Sequence, residues 1–281
     1  MPATPTIKDA VVYHAPHTST HVPSEHRRVL QLDDATLQHE LNRLTDHRID
    51  ELLVPPSNRQ HTLTSPVSRI VIDMERFPDD AMEPASKVGM GVIYTKTTTG
   101  APLRDPPTPT ERGDLMDAYY WPHHERLHTL TAQAQERAGT ALILDLHSFP
   151  SVPLPTETSG GGVRPDICIG TDGFHTPPPL IESLRDAFSQ AGLRVAVDDP
   201  FSGTIVPTNA YRSDPRVASV MIEVNRRVYL DETETRGAHE FNRIGAHLRD
   251  CLAEALQAFN RRSDANGLAF CWPSNDLGGA F

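Results

Sequence analysis

The 281 residues are enough to bury a large core without a disulfide framework. Lys plus Arg number 26 against 37 Asp plus Glu, a net charge of −11 that repels nucleic-acid backbones and anionic membrane surfaces. An anionic metabolite can bind such a chain only where specific arginines reverse the field locally.

Apolar, β-rich runs at residues 10–14, 69–73, 91–95, 141–146, 166–170, 193–197 and 218–224 predict strands of one mostly parallel, covered sheet. Between them Leu37, Leu41, Leu44, Ile49, Leu52 and Leu53 mark a helix that Asp33 or Asp34 can cap. Residues 111–138 also read as helical, with Pro122 starting, kinking or dividing the stretch. Leu180, Leu184, Phe188 and Ala191 predict a helix closed by Gly192, and the longest helix is predicted from about 234 to 259. Proline-rich stretches at 102–109 and 150–155, the second followed by Gly160 to Gly162, read as long connections inside a single domain spanning 1–281. The tail at 260–281 has no clear periodicity. Cys168, Cys251 and Cys271 form no C-x-x-C pair, and neither a leader pattern nor a membrane-spanning run is found, which predicts a cytoplasmic protein.

The chemistry is expected where ionisable residues end apolar strands, because a charge there must be paired, metal-bound or catalytic. Four segments qualify: His14 to Ser19, Asp145 to Ser148, the run into Glu223, and the run into Asp73 with Arg76 behind it. Carboxyl ends of strands in an open α/β sheet share one edge, so these segments should converge. Two imidazoles and a carboxylate around a zinc ion with one open position lower the pKa of a bound water, and a further glutamate can take its proton. Alone, His147 reads equally as a core histidine, and His17 reads more readily as a solvated loop residue, whereas Glu223 inside an apolar strand needs pairing, which Arg226 or Arg227 could supply.

Ala15-Pro16-His17-Thr18-Ser19, Thr45-Asp46-His47, Val71 to Pro78, Asp145 to Phe149 and Ile222 to Arg226 occur in the order that resembles the N-formylglutamate amidohydrolase family. That family is similar, at a distance, to zinc carboxypeptidases. The resemblance implies a three-layer α/β/α fold with a mixed, mostly parallel sheet. It also implies zinc or another divalent ion held by His17, Asp46 and His147, with Asp73 and Asp145 as alternatives to Asp46, and Glu223 as general base and later acid. Arg76 resembles the arginine that grips a substrate carboxylate, although Glu75 stands where the wider superfamily often has asparagine. Arg212 and Arg226 are the candidate second clamps for a dicarboxylate, and their ordinary alternative is a simple ion pair. His124 falls where the family commonly has a histidine, which implies a role behind the ligands or at the substrate.

His123, His124 and His128 suggest a separate metal site, since His124 and His128 are one helical turn apart, but two such histidines read more readily as a solvated face. The turn Pro200-Phe201-Ser202-Gly203 before Asn209 and Tyr211 resembles a family loop at the mouth of the site. The expected activity is metal-dependent hydrolysis of a small anionic N-acyl amino acid, N-formyl-L-glutamate first, giving formate and L-glutamate, with no nucleic-acid or membrane partner. The rivals are a related hydrolase of another N-acyl amino acid or amide, and a non-catalytic binding protein on the same fold.

Overall fold

The chain, seen in a computed structural model that describes residues 7–157, 163–230 and 238–265, builds a sheet whose central strands are covered on both faces. In chain order the elements are α1 (Ile7–Ala10), β1 (Val11–Ala15), α2 (Ser24–Arg27), α3 (Asp34–Leu44), α4 (Ile49–Leu53), β2 (Leu63–Thr64), α5 (Pro109–Leu115), α6 (Trp121–Ala138), β3 (Ala141–Phe149), β4 (Ile167–Gly170), α7 (Pro178–Gln190), β5 (Val195–Val197), β6 (Val217–Asn225) and α8 (Ala238–Ala265). The strand order is β2-β1-β3-β6-β4-β5. β2, β1, β3 and β6 run parallel, whereas β4 pairs antiparallel with β6 and carries β5 with it. This is the expected mixed, mostly parallel sheet, with helices on both sides.

Alternation along the strands decides where a site can form. On one face Leu142, Leu144 and Leu146 of β3 and Ala218, Val220, Ile222 and Val224 of β6 pack with residues of α4, α7 and α8 in the main core. On the other face Val12, Ile143 and Val217 pack against Leu127 and Ala134 of α6. Further along that second face the same alternation turns polar, with His14 in β1, Asp145 and His147 in β3 and Glu223 in β6. Every residue of β3 and β6 is buried, so these polar groups lie inside the protein.

Two predicted strands are loops. Residues 69–73 and 91–95 do contain fully buried Ile70, Val71, Ile72, Val92 and Tyr94, but they are joined by the single backbone bond from Asp73 N–H to the Val92 carbonyl at 2.8 Å. Ile70 is satisfied by side chains instead, its N–H donating to Ser68 Oγ and its carbonyl accepting from Arg104. The helix predicted across Leu37 to Leu53 is divided: α3 is capped by the Asp33 side chain accepting from Thr36 N–H, and extended Thr45 and left-handed Arg48 separate it from α4. A π-helical segment at Met116–Tyr120 joins α5 to α6 without a break, and Pro122, which has no N–H to donate into that segment, is the second residue of α6. Gly160 to Gly162, the predicted helix start at 234 and the tail beyond Ala265 lie outside the described residues. Among the described residues no helix is long and apolar enough to cross a membrane.

Candidate metal centre and active site

His17 follows β1 directly, Asp46 lies in the break between α3 and α4, and His147 is on β3; the Asp46 N–H donates to the His17 carbonyl at 2.9 Å and ties the first two segments together. His17 Nδ1 and His147 Nδ1 face each other at 3.3 Å. Asp46 Oδ2 lies 3.0 Å from His147 Nδ1 and 3.6 Å from His17 Nδ1. A tetrahedral shell with metal–ligand bonds of about 2.0–2.1 Å has edges of about 3.3 Å, so this donor triangle has the size that zinc requires. The nitrogen and oxygen donors also suit zinc chemically, and the three residues fit the ion that the sequence implies.

The far nitrogens of both histidines are held by carboxylates. His17 Nε2 is 2.9 Å from Asp73 Oδ1, and His147 Nε2 is 2.9 Å from Asp145 Oδ1. Donation of Nε2–H to these acceptors leaves each Nδ1 as a lone pair directed at the shared point. Asp73 is itself fixed by Arg69 Nε and Nη2 at 3.0 and 2.6 Å and by the Tyr94 hydroxyl. Asp145 is fixed by His14 Nδ1 at 2.8 Å and by the Ile205 N–H at 3.0 Å. Asp73 and Asp145, the alternative ligands in the sequence reading, therefore stand behind the histidines, one each.

Glu223 is in register with His147 on the neighbouring strand and lines the same cavity, which measures about 950 Å³. Burial pushes its pKa up to about 8, against the pull of the His147 imidazole. Its Oε2 has no hydrogen-bond partner among the described residues. An unsatisfied buried acceptor costs about 1–3 kcal/mol of stability.

The arginines differ in availability. Arg43, Arg69, Arg76, Arg212 and Arg226 all line the cavity. Arg226 is buried, with Nε on Ser148 Oγ at 3.3 Å, Nη1 on the Asn42 carbonyl at 3.1 Å and Nη2 3.8 Å from Asp46 Oδ1, so it braces Asp46 rather than standing open as a clamp. Arg212 is at the rim, its side chain 64% exposed and 3.4 Å from Asp172. Arg43 donates to Thr98 Oγ1. Arg76 makes no hydrogen bond through its guanidinium among the described residues: Asp73 is 3.5 Å away, Glu83 3.7 Å, and the buried Nε has no partner. Arg69 and Arg43 were missed as site residues in the sequence; the four-residue step from Arg69 to Asp73 was the available signal for the first.

The three histidines of α6 separate. His128 is exposed on the solvent side, as the plain reading expected. His123 Nε2 meets His14 Nε2 at 2.9 Å, away from the ligand triangle. His124 lines the cavity, with Nε2 on the Met74 carbonyl at 2.8 Å and Nδ1 unpartnered. The loop at 200–205 forms another wall of the cavity.

Comparison with known proteins gives the same direction. The sequence profile of the family described as N-formylglutamate amidohydrolase matches residues 9–230. The fold is similar to the crystal structure of N-formylglutamate amidohydrolase from Ralstonia eutropha, with a TM-score of 0.73 and 22% identity, covering 90% of this chain and 95% of that one. It is also similar to the crystal structure of a gene product from Agrobacterium tumefaciens, with a TM-score of 0.63 and 20% identity over 89% and 92% of the two chains. No curated protein matches the chain.

Proposed function

This chain belongs to the N-formylglutamate amidohydrolase family, and from that premise we propose that it hydrolyses the amide of a small N-acyl amino acid, N-formyl-L-glutamate first, with the help of a divalent metal ion. The observation that carries the reading is the juxtaposition of His17, His147 and Asp46, their donors 3.0–3.6 Å apart, with Glu223 on the same cavity, its Oε2 unpartnered among the described residues. His17, His147 and Asp46 would hold the ion, zinc by the chemistry of the donors, which supplies a lowered water pKa and polarisation of the amide carbonyl.

Glu223 removes a proton from the attacking water and returns it to the amide nitrogen as the carbon–nitrogen bond breaks. A carboxyl group whose pKa lies near neutrality serves both halves of that transfer. Arg76 grips the substrate carboxylate with two parallel hydrogen bonds, for which its guanidinium is suited, being ion-paired to Asp73 at 3.5 Å and Glu83 at 3.7 Å but making no hydrogen bond among the described residues. Arg69, anchored by Asp73 on one side and bordering the cavity on the other, stabilises negative charge developing on the carbonyl oxygen. Formate and the free amino acid leave.

A second reading keeps the chemistry and changes the substrate. Arg212, the expected clamp for a second carboxylate, is exposed and faces Asp172, which favours an N-acyl amino acid with a single carboxylate. Formate release from N-formylglutamate, N-formylglutamine and N-formylalanine tests both readings. Release from the first at the highest kcat/KM supports glutamate, equal values support the second reading, and no release from any N-acyl amino acid would overturn both.

A further inference from the structure

Glu75 is a carboxylate in an unexpected place. Its side chain is 17% exposed, and it lines the cavity immediately before Arg76. A free carboxylate there would repel the very group that Arg76 is suited to grip, by an amount that grows as water is excluded. The contacts of Glu75 resolve the conflict. Its N–H donates to Asp73 Oδ1 at 3.0 Å, which anchors the backbone beside the carboxylate that orients His17. Oε2 lies 3.6 Å from His17 Nδ1, the same spacing as Asp46 Oδ2 to that nitrogen. Ligand atoms of His17, Glu75 and His147 all fall within 4.8 Å of one another.

We infer that Glu75 is a further protein ligand of the metal, displaceable when substrate enters. The inference rests on the metal-dependent reading above. Two carboxylates and two neutral imidazoles balance a divalent cation in formal charge, which a buried site favours. With Glu75 turned to the ion, Arg76 alone faces the substrate carboxylate. A shell of two histidines, Asp46 and Glu75 is full at four, so either the shell expands to five or Glu75 yields its position; a carboxylate on a partly exposed side chain can do so.

Bracing of His147 is the competing role, since Glu75 Oε1 is 3.1 Å from His147 Nε2. Asp145 Oδ1 already takes that nitrogen at 2.9 Å. Glu75→Gln separates the two roles, because the amide oxygen still accepts from an imidazole N–H but is a far weaker metal ligand. Metal-free wild type and variant are titrated with Co²⁺ and Zn²⁺, reading the dissociation constants by chelator competition and the visible absorption of the Co²⁺ form. We expect Glu75→Gln to weaken both metals at least tenfold and to change the Co²⁺ band, with Glu75→Asp, which keeps the charge but shortens the reach, also losing affinity. Unchanged affinity and spectrum in a folded Glu75→Gln protein would overturn the inference while leaving the metal-dependent reading intact. Failure of the wild type itself to bind either metal would overturn both.

Discussion

His147 and Glu223 are directly in register on the adjacent parallel strands β3 and β6, both pointing to the face that carries α6, and both buried. The proposed metal donor, and a carboxylate whose Oε2 has no hydrogen-bond partner among the described residues, are thereby carried by the two most extensively paired strands of the sheet, whose ladder fixes both backbones. Such rigidity is what positioning a base against a reacting water requires.

The division of labour between these two residues predicts opposite variants. His147→Ala should lose the metal, whereas Glu223→Gln should keep it and lower kcat by roughly two to four orders of magnitude, as loss of a general base does. Metal content and turnover measured on the same preparations check this. Equal loss of metal in both would make Glu223 a ligand.

The carboxylates around the histidines should all contribute to metal affinity. Asp46→Asn is expected to weaken zinc binding at least tenfold, and Asp73→Asn and Asp145→Asn by roughly 10- to 100-fold, as groups that orient ligands do. Arg226→Met, which removes the brace on Asp46, should weaken binding in the same direction. Dissociation constants from chelator competition are the readout, and an Asp46→Asn protein with wild-type affinity would remove Asp46 from the ligand set.

Substrate grip should depend on the shape of Arg76 and not on its charge. Arg76→Lys keeps the cation but loses the planar fork, so kcat/KM for N-formylglutamate should fall at least tenfold, mainly through KM, with metal content unchanged. A wild-type KM in this variant would mean that the carboxylate is held elsewhere.

His123 and His124 should contribute acid sensitivity to the fold. Burial pushes His123 down to about 2 and His124 to about 4, from 6.5 in the unfolded chain. Their neutral forms contribute stability that is present above pH 6.5 and is lost as pH falls toward the folded values, because only the unfolded chain takes up the proton there. Each group adds a slope of up to about 1.4 kcal/mol per pH unit across that window. Between pH 7 and 4.5 the denaturant midpoint of the wild type should drop relative to that of His124→Gln; parallel curves would assign the acid sensitivity elsewhere.

Much of this site was legible because polar residues interrupting covered strands have few reasons to exist. His147 and Glu223 could be picked out from Asp145-Leu146-His147 and Ile222-Glu223 by the apolar residues around them. The runs at 69–73 and 91–95 misled for a related reason: a β-branched apolar run reports burial, and burial without ladder partners reads the same way. The reversal of β4 against β6 depends on a long connection and leaves no local mark. Asp46 could be reached only through resemblance, since its placement rests on a backbone bond to His17 across the fold. Arg226 illustrates the opposite limit, because a sequence shows the presence of an arginine but not the Ser148 and Asn42 contacts that occupy it.

The most direct test of the account is metal depletion and reconstitution of the purified chain, following formate release from an N-formyl amino acid. The account predicts close to one divalent ion per chain, loss of hydrolysis with a chelator, and recovery on adding one equivalent of zinc or a substitute ion. Full activity in protein shown to be free of metal would contradict it.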